Sequence, residues 1–101
     1  MIYIRNSYLD EVTPHEFCLK QNQPNPFREK TTIKYCVSYK SKVIIIVINS
    51  EGDVVEKLIS KELDAGMYEI EFFADGLAEG TYFYQLIAGK YSETKKMELI
   101  R

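Results

Sequence analysis

The segment Thr32-Ile33-Lys34-Tyr35-Cys36-Val37 carries apolar side chains at every second position. Successive side chains of a β-strand point to opposite faces, so Ile33, Tyr35 and Val37 share one face and Lys34 lies on the other. This pattern is typical of a strand with one buried face. No segment of the chain shows convincing helical periodicity. The stretch therefore predicts an all-β domain.

Similar short runs follow, each separated from the next by turn residues. Predicted strands cover residues 43–48, 53–60, 67–73 and 81–88, and the last strand points Met97 and Leu99 inward. Glycine, asparagine and aspartate stand between the runs, where tight turns need them. About seven short strands with turns between them predict an immunoglobulin-like antiparallel β-sandwich with Greek-key topology.

Composition excludes several classes of function. The 101 residues suit one domain, and acidic and basic residues are interspersed at a net charge of −2, so we expect no nucleic-acid binding. The longest apolar run, residues 43–48, is too short for a membrane-spanning helix, and we expect no stable membrane insertion. No motif predicts a catalytic residue, a cofactor site or a metal site, and we expect no enzyme activity.

The two cysteines leave two alternatives open. Cys18 and Cys36 lie on segments that could be neighbouring strands, which permits a disulfide, and two buried free thiols fit the sequence equally well. The single histidine, His15, is three positions from Cys18. Two residues so spaced on a strand project to opposite faces, which argues against a catalytic dyad.

Six sequence blocks occur in the order known from one family. They are Leu19-Lys20-Gln21-Asn22-Gln23-Pro24-Asn25-Pro26-Phe27, then Thr31-Thr32-Ile33-Lys34-Tyr35, the apolar run 43–48 with Gly52, Val54-Val55 and Leu58, Ala65-Gly66-x-Tyr68, Leu77-x-x-Gly80-x-Tyr82-Phe83-Tyr84-x-Leu86 and Thr94-Lys95-Lys96-Met97-x-Leu99-Ile100-Arg101. In this order, the chain resembles the C-terminal sorting domains of the type IX secretion system over residues 16–101. The resemblance implies a sorting domain at residues 14–101, preceded by a leader or linker at residues 1–13 that belongs to an upstream cargo domain.

The resemblance also implies a route and a set of partners. The cargo crosses the inner membrane with its own N-terminal signal, and the sorting domain then presents it to the outer-membrane translocon of a Gram-negative bacterium. A sortase-like peptidase removes the domain, upstream of the sandwich, and the cargo is released or attached to the cell surface. The implied location is therefore secreted or cell-surface.

The last strand carries the predicted recognition residues. If the translocon recognises it, the information has to lie in Lys95, Lys96, Arg101 and an exposed backbone edge, since Met97 and Leu99 are core. The structural interpretation, that this is only the last strand of the fold, is compatible with recognition.

A second group of residues is predicted to shape the fold. Prolines direct the crossing at residues 21–27, and Phe27 caps the core. The amides of Asn22 and Asn25 bond local backbone, and Tyr82 forms a tyrosine corner. The structural motif residues are Pro24, Asn25, Pro26, Phe27, Gly80, Tyr82, Met97 and Leu99.

One strand is apolar on both faces. Ile44, Ile46 and Ile48 occupy outward positions that are commonly polar, which predicts a face covered by the N-terminal segment, by a neighbouring domain or by a second copy in a homodimer.

The competing function is an immunoglobulin-like accessory module that binds carbohydrate or protein and is attached to a secreted enzyme or adhesin. Such a binder would use its loops or a sheet face, whereas a sorting domain needs its last residues.

Overall fold

A computed structural model of the chain describes residues 2–4 and 16–101. These residues form strands and no helix, so none of them belongs to a helix that could span a membrane. His15 and the predicted boundary between residues 13 and 14 lie outside the described residues. The strands are β1 (Ile2–Ile4), β2 (Cys18–Leu19), β3 (Lys30–Val37), β4 (Ser41–Asn49), β5 (Val54–Leu63), β6 (Gly66–Phe73), β7 (Gly80–Ala88) and β8 (Tyr91–Leu99).

The strands form two antiparallel sheets that pack as a sandwich. The first sheet has the order β1-β6-β3-β2, and the second has the order β5-β4-β7-β8. The chain leaves the first sheet after β3, returns to it at β6 beside β3, and enters the second sheet again at β7 beside β4. Neighbours that are distant in sequence are the mark of Greek-key connections. The predicted immunoglobulin-like antiparallel sandwich is confirmed, with β1 and β2 as short additions to one sheet.

The core lies between the sheets and uses the alternation that the sequence shows. The inward side chains of β3, β6 and β7 are at most 7% exposed. Met97 and Leu99 of β8 are buried. Lys96, before Met97, and Glu98, between the two, point outward. The predicted inward positions are confirmed for Ile33, Tyr35, Val37, Tyr68, Ile70, Phe72, Tyr82, Tyr84, Leu86, Met97 and Leu99.

Strand β4 is apolar on both faces, as its sequence indicates. Val43, Ile45 and Val47 are fully buried, whereas the intervening Ile44, Ile46 and Ile48 are half-buried on the outer face of the second sheet. Strand β7 extends this outer face with Phe83, opposite Ile48, and Ile87, opposite Ile44. We call the set Ile44, Ile46, Ile48, Phe83 and Ile87 the outer apolar stripe.

The buried tyrosines should make the domain less stable at alkaline pH. Burial raises the pKa of Tyr84 from its ordinary value of 10.0 to about 12, and it also raises the pKa of Tyr35. A raised pKa in the folded state means that the unfolded chain loses these protons first, so the stabilisation is complete below pH 10 and is lost as pH rises toward 12. Denaturant unfolding at stepped pH, read with tyrosinate absorbance, should show the free energy of unfolding falling over this window. A constant free energy across it would contradict this.

Candidate functional site

Residues 21–27, here the crossing segment, lie along the outer edge of β8. The Phe27 N–H donates to the carbonyl of Glu98 at 3.0 Å, and the Ile100 N–H donates to the carbonyl of Phe27 at 2.9 Å. Phe27 thus stands beside Leu99 as a parallel bridge. The crossing segment acts here as a short additional strand at the end of the second sheet.

Two amide side chains of the crossing segment extend this pairing. The Gln21 side-chain amide donates to the Lys96 carbonyl at 2.7 Å, and the Asn25 Oδ1 accepts from the Glu98 N–H at 2.9 Å. Backbone groups from Lys96 in β8 to Ile100, the residue after β8, are therefore bonded within the chain. The expectation of an exposed backbone edge is wrong for this half of β8, and the amide of Asn25 bonds a distant strand rather than local backbone.

A buried tyrosine anchors the start of the crossing segment. The Tyr84 hydroxyl donates to the Lys20 carbonyl at 2.7 Å and accepts from the Asn22 N–H at 2.8 Å. The Asn22 side chain is fully buried, and its amide donates to Thr31 Oγ1 at 2.9 Å and to the Pro24 carbonyl at 3.1 Å. Buried polar groups need such partners, so this network fixes where the crossing segment leaves the first sheet.

Phe27 joins the crossing segment to the core. Its side chain is 1% exposed and meets the ring of Phe72 edge to face, with centroids 6.1 Å apart. The peptide bonds before Pro24 and Pro26 are both cis. The apolar side chain and the backbone of Phe27 thus hold the same end of the sandwich, one in the core and one at the β8 edge.

The tyrosine corner is present at the start of β7. The Tyr82 hydroxyl donates to the Ala78 carbonyl at 2.6 Å, and Gly80 between them has a φ of 150°. A second bond of the same kind joins the Tyr68 hydroxyl to the Asp64 carbonyl at 2.7 Å. Sequence reasoning missed this second corner, although Gly66-Met67-Tyr68 repeats the spacing of Gly80-Thr81-Tyr82.

Replacing Tyr82 with phenylalanine is expected to lower the free energy of unfolding by about 1 kcal/mol, because the Ala78 carbonyl loses its donor. Tyr35→Phe is the matched comparison. Within the described residues the buried Tyr35 hydroxyl has no hydrogen-bond partner, so its removal should leave stability unchanged or raise it. Chemical denaturation of both variants measures the difference. Equal losses in the two variants would show that the corner bond adds nothing.

The predicted recognition residues lie at three different places. Lys95 is half-buried and its ammonium is 3.2 Å from the carboxylate of Glu93, whereas Lys96 is exposed on the opposite face of β8. The Glu93 carboxyl also bonds the Tyr91 hydroxyl, and these contacts lower its pKa, the tyrosine bond most. The structure therefore does not gather the two lysines into one cluster.

Arg101 fastens the end of the chain to the turn between β6 and β7. Its guanidinium Nη2 donates to the carbonyls of Ala74 at 2.8 Å and Leu77 at 2.5 Å, and its N–H donates to Glu79 Oε1 at 3.1 Å. Sequence reasoning missed this clasp, since nothing local marks the carbonyls that receive the arginine. Side-chain recognition of Arg101 by a partner would compete with these bonds.

The structure resolves the two alternatives for the cysteines. Cys18 and Cys36 face each other across β2 and β3 with Cα atoms 4.8 Å apart, and they form a disulfide. Cys18 is therefore no nucleophile in this state. Within residues 2–4 and 16–101, no group of three or more histidine, cysteine, aspartate or glutamate side chains lies close enough to hold a metal ion.

Comparison with known proteins gives a family match and a structural match. The model of the family described as "Secretion system C-terminal sorting domain" matches residues 23–99. No curated protein sequence matches the chain. Among solved structures, the chain is similar to PorZ of Porphyromonas gingivalis, described as an essential bacterial surface component of its type-IX secretion system, with 21% identity and a TM-score of 0.55. The match covers 94% of this chain and 12% of that protein, so the chain spans a small part of its length. At this identity the likeness supports the sandwich fold alone.

Proposed function

Because the chain belongs to the family of secretion system C-terminal sorting domains, we propose that it directs a larger cargo protein through the type IX translocon of a Gram-negative bacterium to the cell surface or the medium. The observation that carries this is the family match over residues 23–99, which spans strands β3 to β8. The cargo domain precedes the sandwich and supplies its own signal for the inner membrane. Sorting domains of this family are not catalytic, and the domain's contribution is recognition.

Recognition is assigned to side chains at the end of β8 rather than to its backbone. The crossing segment already bonds the β8 edge at Lys96, Glu98 and Ile100, so strand addition there would first have to displace it. The side chain of Lys96 is exposed and takes no part in these backbone bonds. Lys95 and Arg101 are held by one carboxylate and by backbone carbonyls, contacts that a partner's carboxylates can replace.

Removal of the domain after export is assigned to a sortase-like peptidase acting upstream of the sandwich. Each of strands β3 to β8 is hydrogen-bonded to at least one neighbouring strand, and a protease active site does not accept a backbone that is held in a sheet. The domain itself contributes no residue to this cleavage. The cargo is then released or receives a surface anchor.

The outer apolar stripe is assigned to contact with a second copy of the domain. Its five members are half-buried and lie on the two central strands of the second sheet, where a facing sheet would exclude water from them. Ile46→Lys should then keep the domain monomeric at concentrations where the unaltered domain dimerises. Sedimentation of both proteins measures this, and identical behaviour would remove the assignment.

The export function is tested with a reporter that carries a signal for the inner membrane and this chain at its C-terminus. In a bacterium that has the translocon, the fusion should reach the surface or medium, and the same fusion in a translocon-deficient strain should stay in the periplasm. A reporter fused to an unrelated immunoglobulin-like domain is the control. Retention of the fusion in both strains would favour the accessory-module alternative.

A further inference from the structure

The Cys18–Cys36 disulfide crosses the outer face of the first sheet at its edge. It joins β2, which has only two residues, to β3, and both half-cystines are half-exposed. A structural disulfide in a sandwich core would be inaccessible to a thiol. This one is placed where a reductant can approach without opening the core.

A cavity of about 190 Å³ opens beside the disulfide. Lys20, Lys34, Cys36 and Met67 line it, together with Tyr35 and Tyr68. Lys20 and Lys34 stand opposite each other, joined by the bond from the Lys20 N–H to the Lys34 carbonyl at 2.9 Å. Alternation puts both lysines on the outward face that carries the two cysteines. Among the described residues, no acidic side chain lines the cavity itself, but the Lys34 ammonium is 3.7 Å from the Glu69 carboxylate on the neighbouring strand, which offsets part of its charge.

This arrangement suits thiol–disulfide exchange. The attacking species is a thiolate, and the sulfur that leaves departs as a thiolate, so positive charge beside the disulfide favours both. We propose that Cys18–Cys36 is a thiol-exchange site at which a dithiol reductant opens the attachment of β2 while the sandwich stays folded.

The reaction balances with the dithiol as co-reactant. One thiolate of the reductant attacks Sγ of Cys36, the half-cystine that lines the cavity, and Cys18 leaves as a thiolate and takes up a proton. The second thiol of the reductant then breaks the mixed disulfide and forms its own disulfide, and Cys36 is released and protonated. The reductant loses two electrons and two protons, and the two cysteines gain them.

Exchange weakens the hold on the chain before Leu19. After reduction, the chain before Leu19 is held by the ring contacts of Phe17 with Tyr39 and Tyr91, at centroid distances of 5.1 and 5.4 Å, which can open locally while Leu19 stays in the core. Cys18 between them loses its covalent tie to β3. The segment that leads from the cargo into the sandwich would thus become more accessible to a peptidase, a consequence that rests on the proposed function, whereas the exchange chemistry does not.

The test is reduction of the folded full chain by dithiothreitol, followed by alkylation with a mass-shifting maleimide. We expect a rate that rises in proportion to dithiothreitol and lies within about a hundredfold of the rate in concentrated guanidinium chloride. A rate that is independent of dithiothreitol and equal to the global unfolding rate would overturn the proposal, since the bond would then open only in the unfolded chain. These readouts do not involve export, so their failure is distinct from failure of the proposed function.

Charge variants test the role of the cavity. Lys20→Gln/Lys34→Gln should slow reduction about threefold to tenfold, and Lys20→Arg/Lys34→Arg should restore it. Lys30→Gln, on the same face of β3 but outside the cavity, is the control and should leave the rate unchanged. Equal rates for the glutamine double variant and the control would overturn the cavity's role.

Limited proteolysis with mapped sites then tests the consequence. Reduction should raise cleavage at residues 16–18 at least about tenfold while cleavage within β4 and β7 stays unchanged. The double variant Cys18→Ser/Cys36→Ser should reproduce this pattern without reductant. Unchanged cleavage at residues 16–18, or a rise throughout the chain, would contradict a local opening.

Discussion

Replacing Phe27 with alanine is expected to lower the free energy of unfolding by about 3–5 kcal/mol. The side chain is 1% exposed and packs against Phe72, so its removal leaves a cavity where the two sheets meet. The loss is a large share of the roughly 5–15 kcal/mol that stabilises a domain of this kind. The backbone bonds of Phe27 to Glu98 and Ile100 would weaken with it, because the side chain holds that backbone in place.

The matched control for this substitution is Phe73→Ala. Phe73 follows Phe72 on β6 but points outward, is 49% exposed and has the Lys30 ammonium 5.8 Å from its ring centroid. Its removal should cost no more than about 1 kcal/mol. Denaturant unfolding measures both variants. Comparable losses for Phe27 and Phe73 would contradict the placement of Phe27 in the core.

Removal of residues 97–101 is expected to abolish cooperative folding. The deletion takes Met97 and Leu99, which are at most 1% exposed, and a core residue of this size is worth about 2–5 kcal/mol. It also removes the partners of Phe27 and the clasp of Arg101. The summed loss of about 4–10 kcal/mol is comparable with the whole stability of a small domain.

Circular dichroism and unfolding curves of the truncated chain measure this loss. Removal of Arg101 alone is the control, and it should cost only about 1 kcal/mol and leave a folded domain. A truncated chain that still unfolds cooperatively near the midpoint of the full chain would contradict the expectation. A deletion that unfolds the domain cannot separate a recognition signal from a folding defect, so substitutions at the same end are the informative variants.

The alternation of apolar residues in the sequence was enough to predict the strands of the two sheets and which of their faces is buried. Strict alternation at Ile33, Tyr35 and Val37 corresponds to side chains that are at most 1% exposed, and the same holds for Met97 and Leu99. Alternation is a local property of the backbone, so a single sequence carries it. The hydrogen bond from the Tyr82 hydroxyl to the Ala78 carbonyl could also be predicted, because it spans only four residues.

The contacts that shape the end of β8 were beyond sequence reasoning. The bond from the Glu98 N–H to Asn25 spans 73 residues, and the bond from the Asn22 N–H to Tyr84 spans 62. Such pairs depend on how the two sheets are placed, which turn residues and alternation do not encode. For the same reason, the sequence permits the disulfide without requiring it, and the register that places Cys18 opposite Cys36 decides it.

As an export address, this domain is expected to act through the basic side chains at its end. The most direct test of this expectation compares reporter export by the unaltered domain, by Lys95→Gln/Lys96→Gln/Arg101→Gln, and by Lys40→Gln/Lys57→Gln/Lys61→Gln, three exposed lysines elsewhere. All three domains must first be shown to fold. We expect the first variant to reduce export about tenfold or more and the second to export normally. Normal export by the first variant, or retention of the unaltered fusion in the periplasm, would contradict it.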